Sequence, residues 1–210
     1  MTNSSTGQGE DVVMSLVMAV ICTDGIVVSG DFRRTKVKID PKTKEKHIIE
    51  FYDDTHKLTR TKRNHIIGHS GNIILDNGEN IEDVIQNVLI LTETLNMSLF
   101  DEFKYLVGCV GTTDAALIEV GIENGKSYVL AWEQGDAEPS FNHTGGFIGD
   151  TDALKKYISI FEEKQKNITI AEATELLQKY NQLVSDETST ISPNCEIMTI
   201  KQLHSPSTIN

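Results

Sequence analysis

Ser15-Leu-Val-Met-Ala-Val-Ile-Cys22-Thr-Asp-Gly25-Ile-Val-Val-Ser-Gly30-Asp31-Phe-Arg-Arg-Thr35 is the stretch on which the fold assignment turns. Two short runs rich in β-branched residues, Ser15–Cys22 and Gly25–Gly30, flank Thr23-Asp24-Gly25, a turn sequence that joins antiparallel strands. A hydroxyl residue opens the first run and an aspartate closes the second.

Working outward, His47–Tyr52, His56–Arg60 and Asn64–Ser70 read as further strands separated by turn residues. Asn80 is a helix N-cap candidate, followed by Ile81, Val84, Ile85, Val88 and Leu89 at helical spacing. The apolar stripe continues through Leu91 and Leu95, and Met97, Leu99 and Phe100 extend it beyond what one face needs. Tyr105–Val110, Ala115–Ile122 and Ser127–Trp132 read as a second set of strands, the last two joined by Asn124-Gly125. One helix is expected from Asp150 or Thr151, carrying Leu154, Tyr157, Ile158 and Phe161. Another opens with the capping box Thr169-Ile-Ala-Glu172. Cys195–Ile200 closes the fold as a strand. Residues 1–14 read as a flexible leader or propeptide-like extension, 15–203 as a single domain and 204–210 as a tail.

Composition excludes several function classes. The formal net charge of −12 opposes a phosphate-neutralising nucleic-acid binder and an anchor on anionic lipid. The longest apolar run, Val12 to Cys22, is about half the length of a bilayer-spanning helix. Cys22, Cys109 and Cys195 are too few and too scattered for a disulfide framework, so a cytoplasmic protein is expected. His65 and His69 are four apart, a metal spacing only on a helix, and no carboxylate or third histidine accompanies them locally. No metal and no cofactor are therefore expected.

The quoted hairpin resembles the opening of N-terminal nucleophile (Ntn) hydrolases of the proteasome β-subunit and HslV peptidase family. The resemblance runs from about residue 14 to 202. It places the nucleophile on Ser15, where threonine is usual, and the paired aspartate and lysine on Asp31 and Lys57. Gly71, in Gly68-His-Ser-Gly71, matches the glycine whose backbone N–H donates to the oxyanion. Asp186 and Ser189, in Asp186-Glu-Thr-Ser189, match an Asp-x-x-Ser pair that positions the nucleophile and its amine. Thr35 and the strand near Gly71 would bind substrate backbone by strand addition, with Arg34, Thr55, Thr59, His69 and Ile73 lining a side-chain pocket.

The resemblance implies an α+β, four-layer αββα sandwich and hydrolysis of peptide or other amide bonds. A free N-terminal amine serves as the base for its own hydroxyl. A neighbouring lysine keeps that amine neutral near pH 7 by like-charge repulsion. The implied partners are further copies of the chain in a ring or spiral, unfolded peptide substrates and an ATPase. Two other functions stand beside this one: a non-catalytic subunit of the same fold acting as scaffold or assembly partner, and a small-amide hydrolase. The discriminator is whether Ser15 becomes an N-terminus, by cleavage at Met14-Ser15 or by translation from Met14.

Overall fold

A computed structural model describes residues 10–13, 15–40, 42–43, 46–149 and 167–202. The quoted stretch forms the expected hairpin, β2 (Leu16–Cys22) and β3 (Gly25–Asp31), with Cys22 opposite Gly25 across the turn. It sits at the centre of a four-stranded antiparallel sheet flanked by β11 (Gly145–Gly149) and β12 (Cys195–Lys201). Alternation explains the near-continuous apolar sequence. Leu16, Met18, Val20 and Val27 pack beneath helix α3 (Ile170–Glu187), while Val17, Ala19, Ile26 and Val28 face a second sheet.

That larger sheet has the order β10-β9-β8-β7-β1-β4-β5, with β6 (Leu58–Arg60) also paired to β7. Its members are β1 (Glu10–Val13), β4 (Arg33–Ile39), β5 (Lys46–Asp53), β7 (Ile66–Asn72), β8 (Ala115–Glu123), β9 (Lys126–Glu133) and β10 (Ser140–Asn142). Every pairing in both sheets is antiparallel. Helices α1 (Ile81–Thr94) and α2 (Leu99–Val110) cover it through Ile85, Phe103 and Leu106, which pack on Ile67, Leu117 and Leu130.

Four expectations are corrected. The four-layer αββα sandwich is the first: strands dominate, with twelve strands and three helices among the described residues, and α3 is the one described helix on the smaller sheet. Its physical origin lies partly in residues 33–53, whose hairpin β4–β5 widens the larger sheet. Arg33 and Arg34 reach across that hairpin to lie 5.1 and 4.7 Å from the Phe51 and Tyr52 rings. Second, Tyr105–Val110 is helical. Ser98 caps α2 by accepting from the Asp101 N–H, and Leu99, Phe103, Leu106 and Val110 make one buried stripe. Third, Leu99 is buried and adds nothing to the exposed apolar surface, whereas Leu91, Leu95 and Phe100 remain exposed. Fourth, Glu10–Val13, within the expected leader, forms a strand. The helix expected from Asp150 or Thr151 lies outside the described residues.

α3 begins as expected: Thr169 accepts from the Glu172 N–H, and the Glu172 carboxylate accepts from the Thr169 N–H at 2.8 Å.

Candidate functional site

The start of β2 and the end of β3 lie side by side, and this brings Ser15 to Asp31. Asp31 Oδ1 accepts from the Leu16 N–H at 2.8 Å and from Lys57 Nζ at 2.6 Å. Its other oxygen accepts from the Arg33 N–H at 2.9 Å and the Ser192 N–H at 3.2 Å. Lys57 Nζ donates again, to the Arg33 carbonyl at 2.7 Å. Ser15, Asp31 and Lys57 are all fully buried. Burial pushes the Lys57 pKa down, and the Asp31 carboxylate opposes the shift. The pair is thus a buried cation and anion whose remaining hydrogen-bonding positions are filled by backbone, the condition under which such a pair is tolerated.

Lys57 is aimed by what holds its backbone. Glu196, on β12, accepts from the Lys57 N–H at 2.7 Å and the Leu58 N–H at 3.0 Å. His69 donates its backbone N–H to the Lys57 carbonyl at 3.1 Å. The His69 ring is buried, and burial with the Lys57 charge holds its pKa to about 4.

Two glycines permit close approaches, Gly149 at Ser15 and Gly71 at the start of β8. Gly149 has φ +108°, and a Cβ there would lie 1.8 Å from the Ser15 carbonyl oxygen and 3.0 Å from Ser70 Oγ. Gly71 has φ +97°, and a Cβ there would lie 2.3 Å from the Asp114 carbonyl oxygen. Ser70 therefore stands beside the Ser15 backbone. Ser15 Oγ and Thr35 Oγ1 are buried with no hydrogen-bond partner among the described residues.

β1 lies between β4 and β7, with Val12 opposite both Thr35 and Asn72, and Val13 opposite Gly71. The two segments that the sequence assigned to substrate backbone are thus the two that an extended chain joins.

Other expected residues fall elsewhere. Asp186 and Ser189 are exposed: the Asp186 carboxylate accepts from Gln182 Nε2 at 2.7 Å, and the Ser189 carbonyl accepts from Arg33. The residue past α3 that reaches Asp31 is Ser192, buried and just before Pro193. Thr55 donates its N–H to the Phe32 carbonyl, Thr59 pairs with Ile67 across β6–β7, and Ile73 is buried beyond β7. Arg34 reaches Asp54 at 3.5 Å on the surface. Sequence reasoning missed Ser70, Ser192 and Glu196. Only Ser70 carried a signal, standing next to Gly71.

No family model matches this chain. No curated protein matches it. Solved structures do: Anbu (ancestral beta-subunit) from Yersinia bercovieri, and an Anbu (Gly-1) mutant from Hyphomicrobium sp. strain MC1. Each is 12% identical, covers 89% of this chain and 81% of its own, and has a TM-score of 0.61. At that identity the likeness is one of fold. It corrects two expectations. The resemblance to the proteasome β-subunit and HslV peptidase family gives way to similarity with Anbu, and the αββα sandwich gives way to an Anbu-like arrangement of antiparallel sheets. Short motifs in the right order identify shared topology more readily than a family, because a buried hairpin and a buried Asp–Lys pair constrain few residues.

Proposed function

We propose that this chain hydrolyses amide bonds of extended peptides when Ser15 is its N-terminal residue. The freed amine would accept the Ser15 hydroxyl proton as Oγ attacks the carbonyl, then return it to the leaving amine. The Lys57 charge would keep the amine neutral, Asp31 would hold Lys57, and the Gly71 N–H would donate to the oxyanion. The observation that carries this reading is the strand β1: an extended chain fits between Thr35 on β4 and Gly71 on β7 and runs directly into Ser15. A substrate strand would make the same backbone bonds, with Thr55, Thr59, His69 and Ile73 offered as its side-chain surroundings.

A non-catalytic scaffold role is the second reading. It is favoured by the same strand, since a Ser15 that follows Met14 in an intact chain has no free amine to act as base. The test is N-terminal sequencing and intact mass of the protein from its native cell, joined to peptide hydrolysis by that material. A chain starting at Ser15 that cleaves fluorogenic peptides supports the hydrolase. One that keeps Glu10–Val13 supports the scaffold.

Self-association is part of the proposal. Ile90, Leu91, Leu95 and Phe100 are exposed together at the α1–α2 end, and a second copy would bury them. Light scattering at micromolar concentration should give more than a single-chain mass. The three free cysteines suit a reducing, cytoplasmic setting. No described helix is long and apolar enough to cross a membrane.

A further inference from the structure

On the face of the larger sheet opposite the hairpin, the fold assembles a second cluster of ionisable side chains. His65, just before β7, Glu102 on α2 and Glu119 on β8 bring one ligand atom each within 4.8 Å of the others. All three are buried, Glu119 completely and Glu102 to 1% exposure. The carboxylates that the sequence around His65 lacks arrive from two distant elements.

What sets the cluster apart is that it is unfinished. His65 Nδ1, Glu102 Oε1 and both Glu119 oxygens have no hydrogen-bond partner among the described residues. Tyr128 Oη, also buried, is in the same position. Native interiors leave few polar atoms unpaired, and five in one place need an explanation. Tyr128 and His65 converge over Gly121, where a Cβ would lie 2.3 Å from Tyr128 Oη and 2.7 Å from His65 Cδ2. Gly121 lies on the same face of β8 as Glu119, so the missing side chain leaves room for both rings beside the carboxylate.

The separations suit one small cation. His65 Nδ1 and Glu119 Oε1 are 3.5 Å apart. Two ligands about 2.1 Å from a tetrahedral ion stand roughly 3.4 Å from each other. Glu102 is held for the purpose through its other oxygen, Oε2, which accepts from Arg63 and from Thr92 Oγ1. A cavity of ≈ 70 Å³ lies beside Glu102, lined also by Arg63, Gln86 and Leu89.

The geometry points to a divalent transition-metal site, of the Zn²⁺ class, ligated by His65, Glu102 and Glu119. Mixed imidazole and carboxylate donors suit that class. The ion would tie α2 to β8 and to the start of β7. This site does not depend on the hydrolase reading.

The experiment uses the untagged full chain, stripped with EDTA and dialysed, then titrated with Zn²⁺ and with Co²⁺. We expect one tightly bound equivalent per chain by elemental analysis, a higher melting temperature, and a visible Co²⁺ spectrum of a low-coordinate N/O site. Glu119→Gln and His65→Gln should each weaken Zn²⁺ binding at least tenfold, while Mg²⁺ should not compete. Absence of uptake by the folded wild-type chain overturns the proposal without any variant. Equal uptake by wild type and both variants overturns it too, as it would mean binding to surface histidines.

Discussion

Two buried ionic clusters sit on opposite sides of the molecule's central packing, and they differ in completeness. At Asp31–Lys57 both carboxylate oxygens and the ammonium meet donors and acceptors of the protein. At His65–Glu102–Glu119 four polar atoms, and Tyr128 Oη beside them, have none among the described residues. Removing water from a charge is costly in either place, but only the first site recovers that cost internally. The first cluster is closed, with Ser15 buried beside it. An open one is built to receive something.

The contrast can be broken by mutation, starting with the largest effect. Lys57→Met leaves Asp31 a buried, uncompensated anion. We expect a loss of about 3–5 kcal/mol in urea unfolding, together with loss of peptide hydrolysis by a chain that begins at Ser15. An unchanged unfolding midpoint would refute the closed-cluster description.

The next effect is on pH dependence. His69 lies behind Lys57 with its pKa depressed to about 4 in the folded chain, against 6.5 ordinarily. Between those values the unfolded chain binds the extra proton. The stability contributed by the neutral ring is therefore full above pH 6.5 and lost as pH falls through 4, by roughly 3 kcal/mol in all. Denaturant midpoints from pH 7 to 4 should fall less steeply in His69→Gln than in the wild type.

Smallest is the change at the open cluster. Glu119 titrates in the opposite sense: its folded pKa lies above the ordinary 4.5. In metal-free protein its contribution is present below pH 4.5 and declines as pH rises towards the folded value. Glu119→Gln should remove that decline and change stability at pH 7 by less than Lys57→Met does, since the amide carries no charge to desolvate. A cost as large as that of Lys57→Met would show that the two clusters are equally closed.

Much of this arrangement is legible in sequence wherever the signal is local. The β2–β3 hairpin follows from two β-branched runs about Thr23-Asp24, and the Thr169–Glu172 box starts α3 because both partners lie within one turn. Asp31 and Lys57 as a pair are implied by the resemblance and by no local pattern, and only the fold brings them to 2.6 Å. Tertiary structure decided the rest. Tyr105–Val110 has the composition of a strand and becomes a helix because Phe103 and Leu106 gain a sheet to pack against, a context outside any short window. Ser192 reaches Asp31 because the chain after α3 runs past Ser189 and returns beside β3 before it enters β12. Glu10–Val13 becomes a strand only because β4 and β7 leave their edges open to it. The carboxylates of Glu102 and Glu119 stand far from His65 in sequence and meet it only once α2 lies down on β8, and no local pattern can announce a contact that three separate elements have to make.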